Sequence, residues 1–321
     1  KGASECYAGR TRSIAADEYC GFEQLPYDSF SGQNFESRRQ APGPETGFFR
    51  EILRDGLRLE QTLGTDPYRM GVIGSTDTHL GAAGGVSEAD FIGHGGAGVP
   101  AREGVPQGLP DRPEFGPGGL AMIWAEQNTR DALFAAMQRR ETYATSGTRP
   151  QLRFFGGWDF PADFCASAQL VREAYARGVP MGGELKRAAG SVAAPVFVVA
   201  ALRDALEGSP LQQLQLVKGW VDADGESRER VVTVASADAG ADSLCAVWRD
   251  PAYEPGHSAW YYARLLEMPT PRWSARICAA NKVDCADPGS IGEGLEACCA
   301  PEHRASIQER AWSSPIWVSA E

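Results

Sequence analysis

Residues 71–81 read Gly71-Val72-Ile73-Gly74-Ser75-Thr76-Asp77-Thr78-His79-Leu80-Gly81, an apolar approach ending in an acid and a histidine two positions apart. The run from Tyr68 to Ile73 is too short for a helix and is followed by turn residues, which predicts a buried strand. Alternate side chains of a strand point the same way, so Asp77 and His79 can reach one point if the extended geometry persists past Ser75. A carboxylate oxygen and a neutral imidazole nitrogen converging there suit a divalent cation such as Zn, Mn or Fe. Gly81, Gly84 and Gly85 then leave room for backbone and ligand to approach. Asp-x-His alone also fits a capped turn beside a surface histidine.

Working outward, GVIGSTDTHLG resembles the last metal motif of the PHP (polymerase and histidinol phosphatase) superfamily of metal-dependent phosphoesterases. Within it the chain resembles the DUF3604 group, on KGASEC at 1–6, DEYCGFEQLPY at 17–27, FIGHGGAG at 91–98, RRETYATSGTR at 139–149, LRFFGGWDFP at 152–161, VKGWVD at 217–222 and the cysteine-rich tail. The resemblance implies that residues 1–150 form the C-terminal part of a distorted PHP-type (β/α)7 barrel. It also implies a metal-dependent hydrolase, acting most readily on phosphoesters, with Asp77 and His79 as part of a di- or trinuclear metal site. The family's His-x-His ligand pair has no counterpart among His79, His94, His257 and His303. The remaining ligands are therefore expected from an N-terminal half of the same protein, and the chain alone should hold metal poorly.

A chain of 321 residues, 43% hydrophobic and 23% charged, can bury one sizeable core and a smaller second one. A net charge of −11 argues against nucleic acid and against anionic membrane surfaces as partners. No apolar run reaches the ~18 residues of a membrane-spanning helix. Of the eight cysteines, Cys278, Cys285, Cys298 and Cys299 cluster in the tail. That clustering reads as a disulfide-stapled loop of an exported protein, periplasmic or secreted, with a zinc site or buried thiols as alternatives. Cys6 and Cys20 flank a polar loop that a further disulfide could close.

Apolar residues at 48, 49, 52, 53, 57 and 63 predict an amphipathic helix from Glu45 to Leu63, capped by Gly64. Residues 28–44 read as a surface excursion and 99–119 as a long irregular loop rich in Pro and Gly. Gly119 to Ala125 predicts a second buried strand. A helix follows to about Arg140, with Asn128 or Thr129 as N-cap, and RRETYATSGTR leads from it into QLRFFGG, a strand–helix–strand order that would close the barrel. Residues 151–321 change character. PVFVVAALR, LQQLQLVKGWV, RERVVTVAS, SLCAVWRD and AWYYARLLE read as strands of an antiparallel β-sandwich-like accessory domain. Leu214 and Leu216 alternating with Gln213 and Gln215 suggest a half-buried strand, and Ala223-Asp224-Gly225 a hairpin turn.

Three further residues are candidates for chemistry. His94, in the glycine-rich stretch after His79, could bind substrate or act as general acid or base. Arg149 could grip a phosphate or carboxylate in a fork, or serve as a structural ion pair. Glu5, beside Ser4, could line the substrate site or pair with Arg10. Trp124, Trp158, Trp220, Trp248 and Trp260 follow no stacking pattern and read as core. The stretch is neither a phosphate-binding loop nor a dinucleotide fingerprint, and no G-x-S-x-G elbow is present. The alternative function is an exported, non-catalytic binding protein whose β-domain recognises a carbohydrate or a protein partner.

Overall fold

The structure is a computed structural model that describes residues 5–6, 17–23, 47–95, 108–187, 193–222, 224–301 and 303–319. The excursion at 28–44, residues 99–107 of the irregular loop, Ser4, Arg10 and Ala223 lie outside the described residues. The fold is mixed α/β, with few helices and mainly antiparallel sheet.

The first helix, α1 (Phe49–Leu63), forms where the apolar spacing placed it. Gly64 ends it in the left-handed conformation at φ 72°, donating its N–H to Glu60 O. Leu53 and Leu57 carry its buried face onto Val217, Val221, Trp260, Tyr262 and Trp317. Burying each leucine is worth roughly 1.5–3 kcal/mol.

That helix covers one face of an eight-stranded sheet in which β1 (Leu120–Ile123), β2 (Thr142–Thr145), β13 (Arg310–Ser313), β10 (Ala259–Glu267), β14 (Ile316–Val318) and β5 (Glu184–Leu185) follow one another. On its other edge β10 pairs with β7 (Leu211–Val221), which pairs with β8 (Ser227–Ala241). A four-stranded sheet runs β4 (Gly178–Pro180), β3 (Gln151–Gly157), β6 (Val196–Leu202), β9 (Ser243–Arg249). The two sheets share the main core, where Phe154, Phe197 and Val199 meet Leu214, Leu216, Tyr261 and Leu265. The Phe197 and Tyr261 rings lie 4.3 Å apart between centroids. Trp260 is fully buried, and Trp124, Trp158, Trp220 and Trp248 pack half-buried against this core. Short strands β11 (Thr270–Pro271) and β12 (Ser306–Ile307) pair beside α4 (Trp273–Ala280).

Three expectations need correction. Among the described residues there is no closed barrel, and the single parallel pairing is β14 with β5. The first strand and the helix, α2 (Arg130–Gln138), form, but QLRFFGG, expected as the closing strand of the unit, is β3 of the other sheet. Arg140, at φ 60°, turns the chain directly into β2, which runs antiparallel to β1 with Leu120 opposite Thr145. Secondly, β7 is buried on both faces because α1 covers the second; Gln215 is enclosed and accepts from Arg264 at 2.7 and 2.9 Å. Thirdly, Tyr68 to Ile73 forms no strand, and Tyr68, Met70 and Ile73 are exposed. Its inward positions are taken by glycines. A Cβ at Gly74 would meet Leu120 N and O and Thr145 O at 2.7 Å, so the ribbon's backbone lies directly on the sheet.

Four disulfides staple this framework: Cys6–Cys20, Cys165–Cys245, Cys278–Cys298 and Cys285–Cys299. Helix α3 (Leu170–Arg177) follows Cys165 and packs against β3 and β4.

Candidate functional site

The ribbon that carries Asp77 is fastened from the sheet side. Ser314 Oγ accepts from Val72 N at 3.0 Å, Thr142 Oγ1 donates to Val72 O at 2.9 Å, and Gly74 N and Gly119 N exchange bonds with Leu120 O and Ser75 O. Along it Ile73, Ser75, Asp77 and His79 are the exposed residues, while 74, 76 and 78 are half-buried. Asp77 and His79 are thus both exposed, but the extended geometry that would align them does not persist past Ser75. Asp77 sits in the left-handed region at φ 54°, which an aspartate tolerates better than most side chains. Gly118, at φ 103°, makes room for this bend, since a Cβ there would stand 2.7 Å from Thr76 Cα and O.

The next turn brings in His94. His79 N donates to His94 O at 2.8 Å, and Leu80 fills the space where a Cβ on Gly95 would fall. Gly93, at φ 89°, lies against Pro110 O on the other side. His94 is therefore wedged between the 79–80 turn and the 110–111 segment, and is buried. Its Nδ1 lies 2.6 Å from Asp111 Oδ2, which also accepts from His94 N at 3.1 Å; Arg112 N donates to Asp111 Oδ1 at 2.8 Å. Burial would raise the Asp111 carboxyl, but these hydrogen bonds outweigh it and hold the group below its ordinary value. Phe91 and Phe115 approach the ring edge-on at 5.2 and 6.2 Å. Sequence reading missed Asp111; the signal, an acid in a loop without periodicity, is weak.

Arg149 reaches the same loop from behind. Its Nη2 donates to Gly84 O at 3.3 Å and its Nη1 to Glu207 at 3.1 Å, so its fork ties the glycine-rich turn to an exposed acid. Glu5 is placed elsewhere. It lies buried between Arg50 at 2.5 Å, Arg264 at 3.0 Å, Tyr262 at 2.5 Å and Trp312 Nε1 at 2.7 Å. Burial alone would raise Glu5, but the two guanidinium charges prevail and hold it far below the usual carboxylate range. This arrangement makes it a structural anchor with Asp17, which bridges the same two arginines.

A family model described as Protein of unknown function (DUF3604) matches residues 1–241 and 235–320. The chain belongs to the DUF3604 family. Among curated proteins and among solved structures, nothing matches it. Four disulfides, and no helix among the described residues long and apolar enough to cross a membrane, are consistent with an extracellular or secreted DUF3604 protein.

The donor set of this DUF3604 chain fits a divalent cation only in part. Asp77 and His79 offer two donors of suitable type, below the three or four protein ligands that zinc-type sites use. The one trio of candidate ligand atoms lying within 4.8 Å of one another among the described residues is Cys6, Asp17 and Cys20. Its two sulfurs are bonded to each other and offer no thiolate.

Proposed function

We propose that this DUF3604 chain supplies Asp77 and His79 to the metal centre of a PHP-type hydrolase acting on phosphoesters, with the remaining ligands coming from polypeptide outside residues 1–321. The observation that carries this reading is the exposure of both Asp77 and His79 on a ribbon whose backbone is held against the sheet at Gly71 and Gly74. The apolar side chains left exposed on that ribbon and on α1 and α2, Leu63, Met70, Ile73, Phe134 and Met137, are consistent with further polypeptide lying there. Asp77 and His79 would hold the ion, which when bound lowers the pKa of water and polarises the ester. Arg149 keeps the turn beside them in place. The setting would be periplasmic or secreted, and the ion Zn, Mn or Fe.

The test uses the full-length protein, its metal content, and hydrolysis of bis(p-nitrophenyl) phosphate and p-nitrophenyl phosphate. Asp77→Asn removes a charge at constant size, and His79→Ala removes a ligand. Each should lower bound metal and cut turnover by about a hundredfold or more while folding is retained. Normal metal content and activity in the double variant would end the proposal. The isolated 321-residue chain should hold metal poorly.

A further inference from the structure

We infer that Asp111 is a positioning residue, whose carboxylate fixes the buried His94 ring by its Nδ1–H and so leaves Nε2 as the proton-accepting nitrogen. Three observations carry it. The Nδ1 to Oδ2 distance is 2.6 Å, and the same carboxylate oxygen takes the His94 main-chain N–H, so ring and backbone are pinned by one acceptor. Its other oxygen takes Arg112 N, which stops the carboxylate from rotating away. His94 Nε2 is buried and has no hydrogen-bond partner among the described residues. A buried polar atom left unpaired costs free energy, and an imidazole tied at one nitrogen and idle at the other is the arrangement by which carboxylates orient histidines for ligation or proton transfer. The main-chain bond from His79 N to His94 O places this residue against the turn that bears Asp77 and His79.

The inference rests on the hydrolase reading for its effect on turnover and deepens it. Buried His94 acts through its main chain: the ring held by Asp111 fixes the backbone whose carbonyl accepts from His79 N, and so fixes the turn that bears His79. Asp111 stays ionised and contributes orientation.

The test has two arms on the full-length protein, both at a single pH. In the first, nitrogen spectra of histidine-labelled protein, with His94 assigned by its loss in His94→Gln, should show one Nδ1–H tautomer. Asp111→Asn should lose that tautomer's dominance, and Asp111→Glu should restore it. In the second, hydrolysis of bis(p-nitrophenyl) phosphate with Mn²⁺ should fall about a hundredfold in kcat for Asp111→Asn, with KM within about threefold, and recover in part for Asp111→Glu. A wild-type ring in the Nε2–H tautomer, or an Asn variant with unchanged tautomer and unchanged kcat, overturns the inference. If Asp111→Asn does not fold, the wild-type spectrum and Asp111→Glu decide. Wild-type protein that hydrolyses neither phosphate ester sinks the hydrolase reading and the effect of Asp111 on turnover together. The tautomer spectra then decide the positioning role by themselves.

Discussion

Glu309 has its carboxyl on Ser146 Oγ, with the carboxyls of Glu88, Glu267 and Glu23 acting on it from nearby. Burial first, and then the neighbouring charge of Glu88, push it up to about 8 from an ordinary 4.5. Burial likewise pushes Glu267 and Glu88 up to about 7. A carboxyl raised in the folded state binds its proton more tightly there, so its contribution is complete below pH 4.5 and is lost as pH rises through 7 to 8. Glu5 and Asp17, held low by Arg264 and Arg50, have the opposite sign and lose their contribution only in strong acid. Thermal stability should therefore be higher near pH 5.5 than near pH 8.5, by on the order of a few kcal/mol. Glu309→Gln, which cannot ionise, should flatten that decline in a melting-temperature series; a wild-type profile that rises toward pH 8.5 would exclude the effect. Such residue-level chemistry was only partly legible in the sequence. Spacing singles out Asp77 and His79 as candidates. Glu5 gave no sign that two arginines from distant elements, Arg50 and Arg264, would enclose it, because those partners meet only in the fold.

Helix α1 was legible as an element because its apolar spacing and its capping glycine agree. Its interior holds a glycine that pattern reading alone would replace. Gly56→Ala in an exposed helix stabilises by roughly 1 kcal/mol. Here a Cβ would fall 2.2 Å from Asp66 Oδ1, and Asp66 is itself buried and accepts from Tyr68 N at 2.8 Å. The substitution should instead destabilise, by about 1–3 kcal/mol, because it forces the segment leading into the 71–81 ribbon off the helix. Denaturant unfolding of the variant measures this directly, and a gain in stability would show that the Asp66 turn yields freely. The same ribbon shows why one element was misread. Six largely apolar residues suggest a buried strand when counted, yet Gly71 and Gly74 give the sheet a bare backbone, and Met70 and Ile73 point outward. In β1–α2–β2 the first strand and the helix were legible and β2 was not, since the reversal into it depends on Arg140 adopting φ 60°.

At the scale of the whole molecule, the β-rich second half was legible from its alternating runs, whereas the barrel expected for residues 1–150 was not found. Strands β1 and β2 are instead continuous, through β13, with β10 in the centre of the large sheet. Cysteine counting anticipated a stapled tail, but it could not identify the long link. Cys165–Cys245 spans 80 residues and joins the segment after β3 to β9, across the small sheet. The other three bridges span 14, 20 and 14 residues. In the chain-entropy model closing an 80-residue loop restricts the unfolded chain by about 4.5 kcal/mol, and a 14-residue loop by about 3. Both half-cystines of the long link border the cluster of Phe155, Phe160, Phe164, Val196 and Val198, so the native sheet is already packed before the bond is counted. Removing it with Cys165→Ala and Cys245→Ala should therefore leave a folded protein of lower melting temperature. Removing Cys278–Cys298 should loosen the tail cluster of Phe91, Trp273, Ile277 and Leu295 locally. Two measurements check this. Alkylation of the denatured, unreduced chain should label none of the eight cysteines, and all eight after reduction. Hydrogen exchange should then show faster opening across β3, β6 and β9 in the first variant, and across α4 in a Cys278→Ala, Cys298→Ala variant. Thiols that react before reduction would count against the stapled framework and against an extracellular setting for the protein. Equal exchange across both regions in both variants would mean that the bridges act on the unfolded chain alone.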